Sequence, residues 1–239
     1  MKNKPIIHSN DVSWTDNQAP YSRRFGDIYF MPEAGLEESR HVFLSANQLG
    51  HRWHQLSSNE TFTVFECGFG TGLNFLATIE LWLSKATSGH LNYVAFEGFP
   101  LTVTDLTKAL IPFATQLPLM NVLINNYDKA LSGERVQVTE QISLTLLLYQ
   151  ADDLIINKDD LMPINAVYLD GFSPAKNPEM WSIELCQWLY NHCANGASLS
   201  TFTVAGVVKR NLESAGFQIN KIPGFGKKRS MLTAQKVAS

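Results

Sequence analysis

The chain has 239 residues, 45% of them hydrophobic and 17% charged, with a formal net charge of −3. That length and apolar content suffice to bury a core in one or two domains and exclude a disordered or fibrous class. No apolar run approaches the about 20 residues of a membrane helix, Met1–Asn10 lacks the apolar stretch of a secretory signal, and Cys67, Cys186 and Cys193 form no CxxC pair, which argues against a disulfide scaffold or zinc ribbon and suits a reducing cytoplasm.

In chain order, residues 1–20 are polar and irregular and are expected over the surface. Phe25–Met31 alternates loosely, as a strand does, and Gly35–Leu49 reads as one helix opened by the acids Glu37 and Glu38. A β–α alternation then sets in. Thr61–Cys67 is a strand, Leu73–Lys85 an amphipathic helix, Leu91–Glu97 a second strand and Leu101–Leu110 a helix, with Pro112 and Pro118 punctuating the next stretch. Gln141–Tyr149 is a β-rich run leading to Asp152 and Asp153, and Ala166–Asp170 is a buried strand. Pro178–Asn191 is a helix with proline in its first turn, Ala197–Val204 a strand and Gly206–Ser214 a helix ended by Gly216. Phe217–Ile222 and Met231–Lys236 are strands joined by the short loop Pro223–Ser230. The expected fold is α/β, a Rossmann-like, mostly parallel sheet with an antiparallel C-terminal edge hairpin. Residues 1–60 form an N-terminal extension packed on a core domain of residues 61–239.

Ligands of such sheets sit outside the carboxyl ends of the strands, and Glu66, Glu97, Asp152 and Asp170 all fall at or just after strand ends. After Glu66 come glycines at 68, 70 and 72, residues that let a turning backbone approach a ligand. A dinucleotide fingerprint needs its third glycine three residues after the second. Leu73 holds that position, which disfavours a nicotinamide-dependent dehydrogenase. The spacing looks like motif I of the class I S-adenosylmethionine (SAM) methyltransferases. SAM brings a cationic sulfonium, two ribose hydroxyls, an adenine amino group and a zwitterionic methionyl end. Glu97 can accept the ribose hydroxyls, Glu66 the methionyl ammonium, directly or through water, and Asp152 the adenine amine. Gly68, Gly70, Thr71 and Gly72 line the turn, and Asn74 adds polar contacts. Each acid alone reads equally as a helix cap or a solvated carboxylate.

The stretch from Asp170 to Trp181 (Asp-Gly-Phe-Ser-Pro-Ala-Lys-Asn-Pro-Glu-Met-Trp) occupies the place where amino-methylating enzymes carry an Asn/Asp-Pro-Pro-aromatic loop. It differs from that motif but offers similar chemistry: a carboxylate, aromatic rings and rigid prolines. Phe172 and Trp181 are either stacking platforms or pocket wall. An amine must be neutral to attack a methyl group, and a carboxylate raises its pKa, so Asp170 is an orienter or proton acceptor rather than a simple charge partner. His51 and His54 lack matching Cys or His partners, and no metal site is expected. Charge is unevenly spread: from Ala205 onward seven Lys/Arg face one acid, Glu213. This is either a solvated face or the footprint of a polyanionic partner.

These segments, with Gly35–Leu44, Phe96–Thr102, Thr201–Gly206 and Gly224–Leu232, resemble the methyltransferase domain of the tRNA 5-methylaminomethyl-2-thiouridine biosynthesis enzymes. The likeness runs over most of the chain from Tyr21; Gln116–Glu140 matches weakly, and Gly98 stands where the family pattern has lysine. The resemblance implies a class I SAM-methyltransferase fold and transfer of methyl from SAM to the exocyclic amine of 5-aminomethyl-2-thiouridine at the tRNA wobble position. Asp170 and Phe172 would be catalytic, with Asp170 also near the cofactor. Lys176, Asn177, Lys227, Lys228 and Arg229 would meet the anticodon loop. It further implies an FAD-dependent oxidoreductase, fused or separate, so the chain is expected to be a stand-alone form or part of a bifunctional enzyme. The alternatives are a SAM- or nucleotide-binding module without catalysis, and a methyltransferase acting on another amine.

Overall fold

The computed structural model describes residues 12–86, 88–157 and 161–237. The segment 1–11, with its expected surface course and lack of a signal sequence, lies outside them. A small antiparallel sheet comes first: β1 (Val12–Trp14), β2 (Pro20–Ser22) and β3 (Asp27–Ile28). So the stretch expected to be irregular contains a strand at Val12–Trp14 and the start of another at Pro20, and the strand expected over Phe25–Met31 shrinks to Asp27–Ile28; beyond it Tyr29 and Phe30 turn inward onto the main body.

The helix expected over Gly35–Leu49 is three pieces. α1 (Gly35–Ser39) widens into a π-helical turn over Arg40–Ser45, Gln48 adopts a left-handed φ of 53°, and α2 (Leu49–Trp53) follows. The wide turn accompanies burial of three consecutive residues, Val42, Phe43 and Leu44. Asn47 ties the segment down, its side-chain amide donating to Phe43 O at 2.8 Å and to Ser200 Oγ at 2.7 Å.

The large sheet contains β4 (Thr61–Cys67), β5 (His90–Phe96), β6 (Val136–Gln137), β7 (Ile142–Leu147), β8 (Ile164–Leu169), β9 (Cys193–Thr201), β10 (Gln218–Ile222) and β11 (Met231–Gln235), in the order β10-β11-β9-β8-β4-β5-β7-β6. β9, β8, β4, β5 and β7 are parallel neighbours; β6 and β11 run against them, and β10 pairs antiparallel with β11 at the edge. The connecting helices are α3 (Leu73–Lys85), α4 (Val103–Leu110), α5 (Met120–Leu131), α6 (Ala151–Asn157), α7 (Ile183–His192) and α8 (Gly206–Ala215). Alternate strand residues go to opposite faces. Val64, Tyr93 and Leu144 pack with α1 to α5, while Phe65, Val94 and Val167 pack with α6 to α8.

Helix starts follow local capping. Thr102 Oγ1 accepts from Asp105 N at 3.1 Å, so α4 begins after Thr102 rather than at Leu101. Ser182 Oγ accepts from Leu185 N at 3.1 Å, which divides the expected Pro178–Asn191 helix into a 3₁₀ turn (Pro178–Trp181) and α7. β9 starts at Cys193, earlier than the expected Ala197, and ends at Thr201. Helix α5 has no clear signal in the sequence. Its buried positions Leu123, Tyr127 and Ala130 keep helical spacing, but Asn125, Asn126 and Asp128 intervene. No helix among the described residues is long and apolar enough to cross a membrane.

Candidate active site

The strand order reverses at β4: the chain proceeds to β5 and β7 on one side and returns to β8 on the other. At that switch point, over the carboxyl ends of β4, β5 and β8, lies a cavity of about 800 Å³, within the size range of a small-molecule site. The glycine turn between β4 and α3 forms one wall. Gly68, Gly70 and Gly72 all have positive φ, at 82°, 53° and 74°, a conformation that costs glycine little. Their surroundings differ. Gly68 and Gly70 line the cavity, and a Cβ on Gly70 would come 3.3 Å from the Tyr29 ring. Gly72 does not line it. A Cβ there would stand 2.9 Å from both Leu123 and Phe69 side-chain carbons, so this glycine serves close packing of helix and turn.

The strand-end acids also part company. Glu97 lines the cavity, with Gly70 N donating to Oε2 at 2.8 Å and Phe99 N to Oε1 at 2.7 Å. Burial pushes its carboxyl above the ordinary value, opposed by those backbone donors. Each carboxylate oxygen keeps a lone pair for a ligand hydroxyl. Asp170 lines the cavity too. Gly171 N donates to its Oδ1 and Asn74 Nδ2 to its Oδ2, both at 2.8 Å. Burial raises its carboxyl to about 6. Glu66 is fully buried beneath the floor, with Asn74 Nδ2 on Oε1 at 2.8 Å and Tyr93 OH on Oε2 at 2.9 Å. Burial pushes its carboxyl well up. Glu66 is not among the residues that line the cavity.

Asp152 stands exposed in the first turn of α6 at the cavity edge, and Thr71 and Asn74 line the wall. Phe172 is a lining residue, stacked on Phe25 with ring centroids 4.7 Å apart and edge-on to Tyr29 at 5.1 Å. Trp181 is a buried core residue behind the lining, its indole N–H donating to Phe172 O at 3.0 Å. Asn177 lines the rim, whereas the exposed Lys176 pairs with Asp27 at 3.1 Å and so joins its loop to β3. In the β10–β11 loop, Lys227 and Arg229 are exposed and outside the lining. Lys228 reaches the rim, 2.8 Å from Glu38 and 4.7 Å from the Phe202 ring centre.

Sequence reading missed the cover of the cavity. Arg24, Phe25, Asp27 and Tyr29 descend on it from the N-terminal segment, and Arg24 also lies 4.3 Å over the Phe99 ring. The available signal was a dense aromatic cluster, Phe25, Tyr29 and Phe30, in an otherwise polar stretch. Glu38 and Ser39, both lining, were missed as well.

The arrangement suits SAM. Gly68 and Gly70 of the turn bring bare backbone to the cavity, Glu97 offers acceptors to a ribose, and carboxylates dominate the charge facing a cationic ligand. A family model described as S-adenosyl-L-methionine-dependent methyltransferase matches residues 116–237. Two curated relatives both carry the name tRNA 5-methylaminomethyl-2-thiouridine biosynthesis bifunctional protein MnmC. The one from Marinomonas sp. is 41% identical over 232 residues, 96% of this chain and 34% of the relative. The one from Pseudomonas aeruginosa (strain UCBPP-PA14) is 42% identical over 224 residues, 92% of this chain and 34% of the relative. The chain thus spans about a third of the length of these relatives. The crystal structure of MNMC2 from Aquifex aeolicus superposes with a TM-score of 0.74 at 20% identity, covering 99% of this chain and 73% of that one, a likeness of fold.

Proposed function

The chain belongs to the S-adenosyl-L-methionine-dependent methyltransferases, and from that premise we propose that it methylates the exocyclic amine of 5-aminomethyl-2-thiouridine at the wobble position of tRNA. The observation that carries the reading is Asp170: a buried carboxylate that lines the same cavity as Gly68, Gly70 and Phe172, held by Asn74 and Gly171 N. The relatives' printed names point to the same nucleoside.

When bound, SAM supplies an electrophilic methyl group carried on a cationic sulfur. Glu97 and the Gly68–Gly70 backbone hold it, with Asp152 at the adenine end. The amine must arrive as the free base, and methylation leaves a surplus proton on its nitrogen. Asp170 takes that proton. With its carboxyl near 6 it is largely ionised at neutral pH and so free to accept a hydrogen bond from the amine as its proton departs. Phe25, Tyr29 and Phe172 keep water from the floor and offer ring faces to the base. Most of the rate comes from alignment of amine and methyl. The wobble base lies in a loop and splays out more easily than a duplex base, while Lys227, Lys228, Arg229, Lys176 and Asn177 meet the anticodon loop. In this reading residues 61–239 are the catalytic domain and residues 1–60 the extension. The setting is cytoplasmic, and the working partner is a fused or separate FAD-dependent oxidoreductase.

The test is SAM-dependent methylation of purified tRNA lacking the final methyl group, read by nucleoside mass spectrometry. Conversion of 5-aminomethyl-2-thiouridine to its methylamino form is the expected result. SAM binding without conversion would favour a non-catalytic module or another amine.

A further inference from the structure

Asn74 opens α3 immediately after the glycine turn, and its side chain is committed to the protein rather than to the cavity. Both protons of its Nδ2 are used, one on Glu66 Oε1 and one on Asp170 Oδ2, each at 2.8 Å. Its Oδ1 accepts from the Ser39 hydroxyl at 2.6 Å, and both Ser39 and Asn74 are buried. A flipped amide would turn its oxygen toward two carboxylates and its NH₂ toward Ser39. The Ser39 O–H and the two acids therefore select a single orientation.

We propose that Ser39 and Asn74 are positioning residues for Asp170: the Ser39 hydroxyl locks the Asn74 amide, which clamps the Asp170 carboxylate against the buried Glu66. The clamp assembles five side chains from separate elements, Tyr93 on β5, Glu66 on β4, Asn74 on α3, Ser39 on α1 and Asp170 at the end of β8. Tyr93 fixes Glu66 from behind. Asp170 is then held at both oxygens, by Asn74 and by Gly171 N, which leaves its remaining lone pairs in a set direction. Without the amide, two buried carboxyls lose the donor between them, and buried acceptors left unsatisfied are costly. The charged and titratable groups that act on Asp170 or respond to it are Glu38 on α1, Lys228 on the β10–β11 loop, and Glu66, Cys67 and Tyr93 below.

This inference rests on the reading of Asp170 as proton acceptor, and the experiment separates the two. Ser39→Ala, Ser39→Thr, Asn74→Leu and Asp170→Ala are compared in the full chain with SAM and hypomodified tRNA. Turnover is measured against pH, SAM affinity by calorimetry, and the Asp170 carboxyl is titrated by carbon NMR in the cofactor-free protein. Ser39→Ala should lower kcat about tenfold at pH 7, leave SAM Kd within about twofold, and move the Asp170 midpoint up by about half a unit or more. Ser39→Thr, which keeps the hydroxyl, should restore all three readings. Asn74→Leu should exceed Ser39→Ala in the same direction; should it fail to fold, the serine pair carries the test alone. An unchanged kcat and midpoint in Ser39→Ala, with Asp170→Ala inactive, overturns the positioning role. Equal proportional losses of kcat and SAM affinity in Ser39→Ala overturn it too. An active Asp170→Ala protein overturns the reading of Asp170 itself.

Discussion

Glu66 is next to last in β4 and Glu97 follows the last residue of β5, its parallel neighbour, and in sequence they look like the same signal: an apolar run reaching an acid with glycine close behind. Their environments are opposite. Glu97 is held by two backbone N–H groups and faces the cavity, while Glu66 is held by a phenol and a side-chain amide and faces none. Backbone donors from a turn leave a carboxylate at the surface of that turn, where a ligand can share it. Donors from side chains two layers deep enclose it. A strand-end acid is thus a ligand or a foundation according to who donates to it, and Asp170, with one donor of each kind, lies between.

Substitutions can break this comparison. The largest effect is expected at Asp170. Asp170→Ala should lower kcat by about 10²–10⁴-fold, the range of a lost general base, with SAM affinity little changed in calorimetry. In the unaltered protein the rate should fall as pH drops through about 6, because protonated Asp170 cannot accept; a second limb at higher pH would report the substrate amine. Next comes Glu97→Ala, which should weaken SAM binding by about 10–100-fold, the worth of hydrogen bonds to a charged group, while kcat at saturation holds. Equal SAM affinities in Glu97→Ala and Glu66→Gln would erase the distinction.

A smaller effect is expected at the rim. Replacing Lys227, Lys228 and Arg229 with Ala should weaken tRNA binding about tenfold at moderate salt and flatten its salt dependence by about 0.7–0.9 for each phosphate no longer neutralised. SAM binding should not move. An unchanged salt slope would show that these cations face solvent.

The smallest effect belongs to Glu66→Gln, an isosteric change that keeps an acceptor for Asn74. Burial raises the Glu66 carboxyl in the fold above its ordinary value of 4.5. Its contribution is therefore fully present below that value and lost as pH rises toward the folded one. Gln does not titrate. In urea unfolding the variant should match the unaltered protein near pH 4.5 and gain on it steadily as pH rises. A gap that is constant with pH would mean that Glu66 stays ionised at little cost.

The central alternation was legible because buried parallel strands are apolar runs bounded by glycine and acid, as Thr61–Cys67 and Ile164–Leu169 both are. Local signals failed where distant partners decide. The π-helical turn at Arg40–Ser45 depends on the packing around Val42, Phe43 and Leu44. Gly72 looks like Gly70 until Phe69 and Leu123 close around it. The burial of Glu66 needs Tyr93 and Asn74, neither of which marks itself in the chain. The cavity cover from Arg24 to Tyr29 is held by rings and an ion pair to segments more than half the chain away.

The strand order has a consequence for biosynthesis. β4 emerges from the ribosome first among the strands of the large sheet and ends at its middle. β5 and β7 can pair on one flank at once, but the other flank waits for β8, which is made only after α6. During that interval a strand containing Val64 and Phe65 presents an open edge, the form of surface that invites mispairing between nascent chains. β8 closes that edge and in the same docking event brings in Asp170 just beyond its last residue. Quality control by solubility and acquisition of the site therefore coincide: a lesion that loosens β8 should be seen as aggregation during synthesis before it is seen as a slow enzyme.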